Sequence, residues 1–179
     1  MAAPQTHLVV TFGFRAVCSF IFGVVFTMTG LFWIYFWGCL MDFVDHFTSP
    51  AFTKDVFFVR LPRFFKGGDV GSPTKGIKIP TCWLHIWPGA ILSLVCGLIF
   101  FPQTFCWIPL FFWLQHILID KGQKNDGNFP DIPFFYPFKK KIWGLRNGYP
   151  IKSRKEVLIS TALSLLVVMP FEIYYNFLK

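Results

Sequence analysis

The uncharged stretches of this chain constrain its fold most. Residues 16–41 contain no Asp, Glu, Lys or Arg, and neither do residues 79–119. A helix that crosses a bilayer needs about 20 apolar residues, so each run is long enough to span a membrane. The apolar residues do not follow a single helical face, and only 15% of the chain is charged, against about 25% in soluble domains. We therefore predict an all-α polytopic membrane protein.

Four transmembrane helices are predicted, in a single membrane domain of residues 1–179. The spans cover about 8–41, 83–101, 104–120 and 157–178. The first is long for one crossing, so it lies partly in the interface, tilts strongly, or bends near Thr29-Gly30. Pro102 lacks a backbone N–H and divides the second and third spans into a tight hairpin, which either crosses fully or is re-entrant. Ser153 and Glu156 form a capping box that starts the last span.

Basic residues are concentrated in the two loops between the spans. Loops 42–82 and 121–156 hold 15 of the 17 Lys and Arg residues. Both loops lie on one side of the predicted topology, and the positive-inside rule makes that side the cytosol or the mitochondrial matrix, with both termini opposite. The inner mitochondrial membrane is slightly preferred over the endoplasmic reticulum, because accessory subunits without catalytic motifs are common there. The net charge of +8 suits anionic phospholipids rather than nucleic acid.

The second loop places aromatic residues beside a run of lysines. The predicted lipid headgroup contacts are Lys139, Lys140, Lys141 and Trp143. Aromatic rings favour the membrane interface, and ammonium groups pair with lipid phosphates. A bound phospholipid is the only cofactor that we expect. Because the same segment is rich in proline, a docking surface for partner subunits is the alternative interpretation.

Two histidine–aspartate pairs end the uncharged runs, in MDFVDHF (41–47) and QHILID (115–120). Members of each pair are four residues apart and share a helix face. The predicted topology gathers the following residues at the basic side: Asp42, Asp45, His46, His85, His116 and Asp120. Such side chains can bind zinc or non-haem iron, or act as a general base and its orienting partner. If the protein is an enzyme, the catalytic candidates are His46, His116, Asp120 and Asp42.

Polar residues also concentrate at helix ends for structural reasons, and this interpretation is favoured. Each carboxylate is then expected to bond a nearby Lys, Arg or capping amide, and no metal is assigned.

A different polar pair is predicted within the spans themselves. Arg15 and Glu172 lie at similar depth in the first and last spans, and an unpaired charge inside a membrane is costly. We predict an intramembrane ion pair; the alternative is that each side chain reaches the interface separately.

Two functions are compatible with these features. The favoured one is a non-catalytic integral membrane subunit of a larger complex, which provides packing and lipid contacts, since no nucleophile elbow, P-loop or histidine-rich box is present. The alternative is a small lipid-processing enzyme of an endomembrane that uses the His/Asp residues at the cytosolic interface. Expected partners are other membrane protein subunits and anionic phospholipids, with no nucleic acid.

Overall fold

The computed structural model describes residues 4–47, 54, 56–68, 83–121 and 153–178, and within these ranges it does not describe the side chains of 45–47, 56, 60, 121 and 178. The described ranges are helical and contain no strand, which confirms the predicted all-α class. The α-helices are α1 (Pro4–Phe22), α2 (Met28–Tyr35), α3 (Met41–Phe47), α4 (Leu61–Phe65), α5 (Trp87–Phe100), α6 (Ile108–Lys121), α7 (Arg154–Leu163) and α8 (Met169–Ile173). Wider π-helical segments cover Phe36–Leu40, Val56–Arg60, Ser164–Val168 and Tyr174–Leu178, and a 3-10 turn covers Gln103–Phe105.

The first predicted span, residues 8–41, is a helical hairpin and not a single helix. The chain leaves α1 and reverses over residues 23–27 before α2 begins. Gly23 permits the reversal because its φ of 63° lies in the left-handed region, which glycine adopts without strain. Thr27 then caps α2, since its hydroxyl accepts a hydrogen bond from the backbone N–H of Gly30. The expected tilt or bend near residue 29 is therefore a complete turn slightly earlier in the chain.

The two arms of this hairpin run antiparallel and pack closely. The Sγ of Cys39 lies 3.7 Å from the carbonyl oxygen of Pro4. Gly38 packs on Thr11 so tightly that a β-carbon at position 38 would overlap the threonine hydroxyl. The start of α1 consequently lies at the same end of the bundle as Asp42. The prediction that the N-terminus lies at the opposite end is wrong, because it assumed one continuous helix.

The middle hairpin breaks at Pro102, where the sequence predicts it. The chain leaves α5 at Phe100 and enters α6 at Ile108, so Pro109 falls in the first helical turn, where its missing N–H costs no hydrogen bond. Each arm has 14 described residues, or about 21 Å of helix at about 1.5 Å per residue. A bilayer core is about 30 Å thick, so the described part of each arm is shorter than a full crossing, and both alternatives for the hairpin stay predictions.

The last helical rod starts at the predicted capping box. Ser153 accepts a hydrogen bond from the backbone N–H of Glu156 at 3.1 Å, and the rod then continues through α7 and α8 to Leu178. Pro170 lies two residues after the π-helical segment Ser164–Val168. A π-helical turn is wider than an α-helical one, and such turns accommodate local disruptions of the hydrogen-bond ladder.

Two helical rods are long and apolar enough to cross a membrane, namely Pro4–Phe22 and Arg154–Phe177. In the most apolar segment of each rod, only 22% and 17% of the residues, respectively, are buried. Core helices of soluble proteins are mostly buried. Large apolar side chains point outward from both rods, including Phe20 at 91% exposure and Leu166 at 76%. These features support a membrane protein. Four crossings stay a prediction, because the other apolar helices are shorter.

The apolar core lies between the first hairpin and the middle hairpin. Its most deeply buried members include Ile34, Trp37, Met41, Ile108, Phe112 and Trp113. Close packing stabilises such a core even where lipid surrounds it, because dispersion contacts do not depend on exclusion of water. At one end of the core, Met41 is directly followed in the chain by a polar residue, and Ile117 is directly preceded by one. A polar cluster therefore closes the core at that end.

Candidate metal centre

Five ionisable side chains meet at the end of the bundle where α1 begins and α6 ends. They are His7 from α1, Asp42 from α3, His85 from the turn before α5, and His116 and Asp120 from α6. We call these five residues the His/Asp centre. Four of them are at most 6% exposed, and the side chain of the fifth, Asp120, is 10% exposed. Burial of so many polar groups is costly unless each is bonded or coordinates an ion.

Four members of the centre direct ligand atoms at one another. The Nε2 of His85 lies 2.9 Å from the Oδ1 of Asp42 and 3.3 Å from the Nε2 of His116. The Oδ2 of Asp120 lies 3.6 Å and 3.5 Å from those two imidazole nitrogens. One ligand atom from each of the four residues lies within 4.8 Å of the others. Ligands about 2.1 Å from a tetrahedral ion lie about 3.4 Å apart, so this spacing suits a metal site.

His7 approaches the same carboxylates from another direction. Its Nε2 lies 3.2 Å from the Oδ1 of Asp120 and 3.9 Å from the Oδ2 of Asp42. Its ring stacks on the ring of His116, with centroids 3.9 Å apart and planes inclined by 13°. Each carboxylate therefore faces His7 with one oxygen and the pair His85 and His116 with the other.

A backbone contact identifies the protonation pattern of His116. Its Nδ1 lies 3.1 Å from the carbonyl oxygen of Gly38, which can only accept, so we assign the hydrogen to Nδ1. In a neutral imidazole the Nε2 then directs a lone pair at His85 and Asp42. A lone pair that faces a carboxylate is repulsive unless a cation or an added proton lies between them. Metal-bound histidines usually donate their second N–H to a carbonyl or a carboxylate in this way.

Local backbone structure fixes the position of His85. The residue ends a short 3-10 turn, 83–85, whose Leu84 carbonyl oxygen accepts a hydrogen bond from the indole N–H of Trp113 at 2.7 Å. Gly89 packs against the same carbonyl group, and a β-carbon there would overlap it. The first turn of α5 and the middle of α6 thus hold the turn from both sides. This explains how a residue outside a regular α-helix reaches a defined place in the centre.

The structure brings together most of the residues that the sequence analysis gathered at one end, namely Asp42, His85, His116 and Asp120. The side chains of Asp45 and His46 lie outside the described residues, so their placement stays a prediction. Both carboxylates contact imidazoles, and the expected bonds to a lysine, arginine or capping amide stay a prediction. His7 was not predicted as a member, because a single long first span would carry it to the opposite end of the bundle.

The predicted ion pair lies deeper in the bundle. The Nη1 of Arg15 lies 2.8 Å from the Oε1 of Glu172, and the two side chains are 6% and 17% exposed. Tyr35 donates its hydroxyl hydrogen to the same oxygen at 2.6 Å. The Nδ2 of Asn176 donates to the Oε2 of Glu172, also at 2.6 Å. The structure thus pairs the two charges and adds two neutral donors that the sequence did not indicate. We call these four residues the Arg15 cluster.

The predicted lipid contacts Lys139, Lys140, Lys141 and Trp143 lie outside the described residues, so headgroup binding by that loop stays a prediction.

Comparison with known proteins assigns no family. No protein-family model, no curated protein and no solved structure matches the chain. The geometry of the His/Asp centre is therefore the basis for a functional assignment.

Proposed function

We propose that this protein is a metal-dependent hydrolase of the membrane interface, with a divalent ion in the His/Asp centre. The observation that carries the proposal is the convergence of buried ligand atoms from Asp42, His85, His116 and Asp120. Imidazole and carboxylate groups are the ligands that zinc and other divalent first-row metals take in proteins. One divalent ion also balances the charge of the two carboxylates, which makes burial of the whole group less costly.

The close approach of two imidazole nitrogens to one carboxylate oxygen is the feature that favours a metal ion over protons. If His116 carried a second proton, its Nε2–H would point at the Oδ1 of Asp42, 3.2 Å away. The Nε2 of His85 approaches the same oxygen at 2.9 Å and lies 3.3 Å from the Nε2 of His116. One carboxylate oxygen can accept both N–H groups, but their two hydrogens would then converge on a single point. A metal ion at that point would instead accept a lone pair from each nitrogen.

Hydrolysis is the chemistry that such a centre supports most directly. A divalent ion held by these residues would lower the pKa of a coordinated water to about 7 and so would supply hydroxide near neutral pH. The water oxygen forms a bond to the acyl carbon or phosphorus of an ester, and the bond to the leaving oxygen breaks. The alcohol leaves with a proton, and no oxidant, reductant or second substrate is consumed. The second oxygen of Asp120 or Asp42, which faces His7, would orient the water.

The position of the centre favours a substrate at the membrane surface. The hydroxyl of Thr6, the neighbour of His7, donates to the Oε1 of Glu156 at 2.8 Å, so α1 and α7 begin side by side. Both helical rods that could cross a membrane therefore start beside the centre. The end of a membrane-crossing rod meets water and lipid headgroups, which supports an amphiphilic ester as the substrate. We place this end on the cytosolic or matrix side, because the basic loops adjoin it.

Metal content tests the first part of the proposal. The parent protein, purified in mild detergent without chelator, should contain at least one equivalent of zinc, manganese, iron or cobalt by elemental analysis. The His116→Ala variant should contain none. Gln115→Leu is the matched control, because Gln115 is the buried neighbour of His116 on the same helix and is not part of the centre. A parent protein that stays metal-free after incubation with each ion would overturn the proposal.

Hydrolysis assays test the second part. The metal-loaded parent should release product from an ester presented in lipid vesicles, and His116→Ala should not. A protein that binds metal but hydrolyses neither carboxylic nor phosphoric esters, in vesicles or in solution, would contradict a hydrolase and would leave only a structural metal site.

A non-catalytic subunit of a larger membrane complex is the second candidate. The observation that favours it is the outward-facing apolar surface, which includes Phe20, Val25 and Phe177 at 91%, 92% and 70% exposure. Partner helices could cover this surface, although lipid tails would cover it equally well. Anionic phospholipid binding and a place in the inner mitochondrial membrane belong to this candidate. Native gels after mild extraction separate the two: comigration with a large complex, together with absence of metal, favours the subunit.

A further inference from the structure

We infer that the His/Asp centre holds two metal ions, bridged by Asp42 and Asp120, and that its substrate is a phosphate ester. The inference rests on the proposed metal-dependent hydrolase and specifies its metal stoichiometry and substrate class. Three features carry it: the division of the ligand atoms into two groups, the spacing of the stacked histidines, and the charge that two ions would leave.

The two carboxylates divide the ligand atoms of the centre into two groups. The first group contains the Nε2 atoms of His85 and His116, the Oδ1 of Asp42 and the Oδ2 of Asp120. The second group contains the Nε2 of His7, 3.2 Å from the Oδ1 of Asp120 and 3.9 Å from the Oδ2 of Asp42. Each aspartate presents a different oxygen to each group. Both carboxylates therefore lie across two neighbouring positions, as bridging ligands do.

The stacking of two histidines sets the distance between these positions. His7 belongs to the second group and His116 to the first, and their rings are nearly parallel with centroids 3.9 Å apart. Parallel rings that direct Nε2 at the same pair of carboxylates offer their lone pairs to adjacent points at a similar separation. Two-metal hydrolytic sites hold their ions about 3.5–4 Å apart. The Nδ1 of His7 is buried without a hydrogen-bond partner among the described residues, so Nε2 is the atom through which this side chain engages the centre.

The two positions differ in the number of protein ligands. The first is surrounded by four donor atoms, which is the number in closed structural zinc sites. The second has three, which is the number in catalytic zinc sites, where water or substrate takes the fourth place. We therefore assign the attacking water to the His7 side of the centre and the structural anchoring of the pair to the side of His85 and His116.

Charge specifies the substrate class. Among the five residues of the centre, Asp42 and Asp120 neutralise one divalent ion, so two divalent ions leave an excess of two positive charges within the centre. An anionic ligand balances that excess, and two-metal sites typically clamp the oxygens of a phosphoryl group. Hydrolysis then forms a bond between water oxygen and phosphorus and breaks the bond between phosphorus and the alcohol oxygen, which leaves as the alcohol with a proton. Phospholipid headgroups and water-soluble phosphate esters share this chemistry.

Metal stoichiometry is the first test. The full-length protein in detergent is treated with chelator, desalted and titrated with Zn²⁺. We expect two ions per chain in the parent and one in His7→Asn, since asparagine keeps a polar side chain but removes the imidazole. Thr11→Val is the matched control: Thr11 lies one turn further along α1, is fully buried, and should leave two ions bound.

The outcomes separate this inference from the proposed function. A parent that binds one ion overturns the two-metal inference and leaves the hydrolase proposal standing, whereas a parent that binds none removes both. If His7→Asn does not fold, the Mn²⁺-loaded parent supplies an independent readout. Bridged Mn²⁺ ions give an exchange-coupled electron paramagnetic resonance spectrum, and a spectrum of isolated ions only would contradict bridging.

Inorganic phosphate is the probe for the substrate class. It should bind the parent loaded with two Zn²⁺ ions at least about tenfold more tightly than it binds His7→Asn loaded with one, because a second divalent ion adds a direct charge contact. Equal binding would overturn the assignment. Release of a phosphorylated headgroup from phospholipid vesicles would identify a lipid source, and cleavage of p-nitrophenyl phosphate alone would identify a soluble one. Cleavage of p-nitrophenyl acetate with neither phosphate ester cleaved would contradict the class.

Discussion

The His/Asp centre and the Arg15 cluster are both buried, but they satisfy their polar atoms in different ways. In the Arg15 cluster a cation and an anion pair at 2.8 Å, and neutral donors fill the remaining positions on Glu172. Its charges cancel within the protein. The His/Asp centre directs imidazole nitrogens and carboxylate oxygens at one another, and two of those nitrogens are 3.3 Å apart. A cluster that balances its own charge fits a structural role, whereas the convergence of nitrogens and oxygens in the His/Asp centre is the basis of the proposed metal site.

The largest expected effect is loss of metal on substitution of Asp42. Asp42→Asn removes a carboxylate that faces both groups of ligand atoms, so elemental analysis should find no stoichiometric metal. Glu172→Gln makes the same chemical change in the Arg15 cluster and should retain the full metal content. Equal metal content in the two variants would contradict the proposal that only the His/Asp centre binds metal.

The next largest effect concerns the Arg15 cluster. Arg15→Leu leaves Glu172 buried without its cation, and loss of one partner of a buried pair typically costs about 3–5 kcal/mol. Unfolding of the variant in detergent should show this loss of stability, while its metal content should equal that of the parent. The double variant Arg15→Leu/Glu172→Leu should recover part of the loss. Strictly additive effects of the two single substitutions would show that the residues do not interact.

A smaller effect is expected at the contact between the arms of the first hairpin. Gly38→Ala drives a β-carbon into Thr11, and such overpacking costs about 1–3 kcal/mol. The displaced Gly38 carbonyl would also lose its bond with His116, so Zn²⁺ affinity should fall by about tenfold, as for other ligand-orienting contacts. Calorimetry measures both quantities. Addition of Thr11→Ala to the Gly38→Ala variant should restore part of the stability and part of the Zn²⁺ affinity. An unchanged Zn²⁺ affinity in Gly38→Ala would show that this carbonyl does not orient His116.

The smallest effect is expected for Tyr35→Phe. This substitution removes one hydrogen bond to Glu172, and a bond to a charged group is worth about 1.5–3 kcal/mol. Because Arg15 and Asn176 still contact the carboxylate, the measured loss should lie at or below the lower end of that range. Thermal melting measures it, with the metal content as the internal control. A loss as large as that of Arg15→Leu would mean that the tyrosine, and not the ion pair, holds the cluster together.

Local signals in the sequence were sufficient for part of the fold. Pro102 predicts the break in the middle hairpin because it lacks a backbone N–H, and the capping box at Ser153 predicts where the last rod begins. Both features depend on a few adjacent residues. Arg15 and Glu172 were also predicted to pair, because a charge within an apolar run has few other ways to be neutralised.

The reversal at residues 23–27 was not predicted, and the wrong placement of the N-terminus followed from this omission. Gly23 and Thr27 are the usual types of residue for a helix end and a helix start, but the apolar residues between them, Val24, Val25 and Phe26, disguise the turn. A turn built from apolar residues shows little of the ordinary contrast between loop and helix. Once α1 folds back on α2, His7 comes beside Asp42, and its membership of the centre follows from the turn alone.

The same reversal also fixes the order in which the centre is assembled during synthesis. His7 and Asp42 lie on the two arms of one hairpin, with ligand atoms 3.9 Å apart, so their contact needs no residue of the middle hairpin. His85, His116 and Asp120 arrive only with that second hairpin. Because N-terminal parts of a chain fold first during translation, the nascent protein passes through a stage that holds one imidazole and one carboxylate. If the centre holds metal as proposed, this half-built set would supply only two of its ligands, and the set would be complete only once residue 120 has been synthesised.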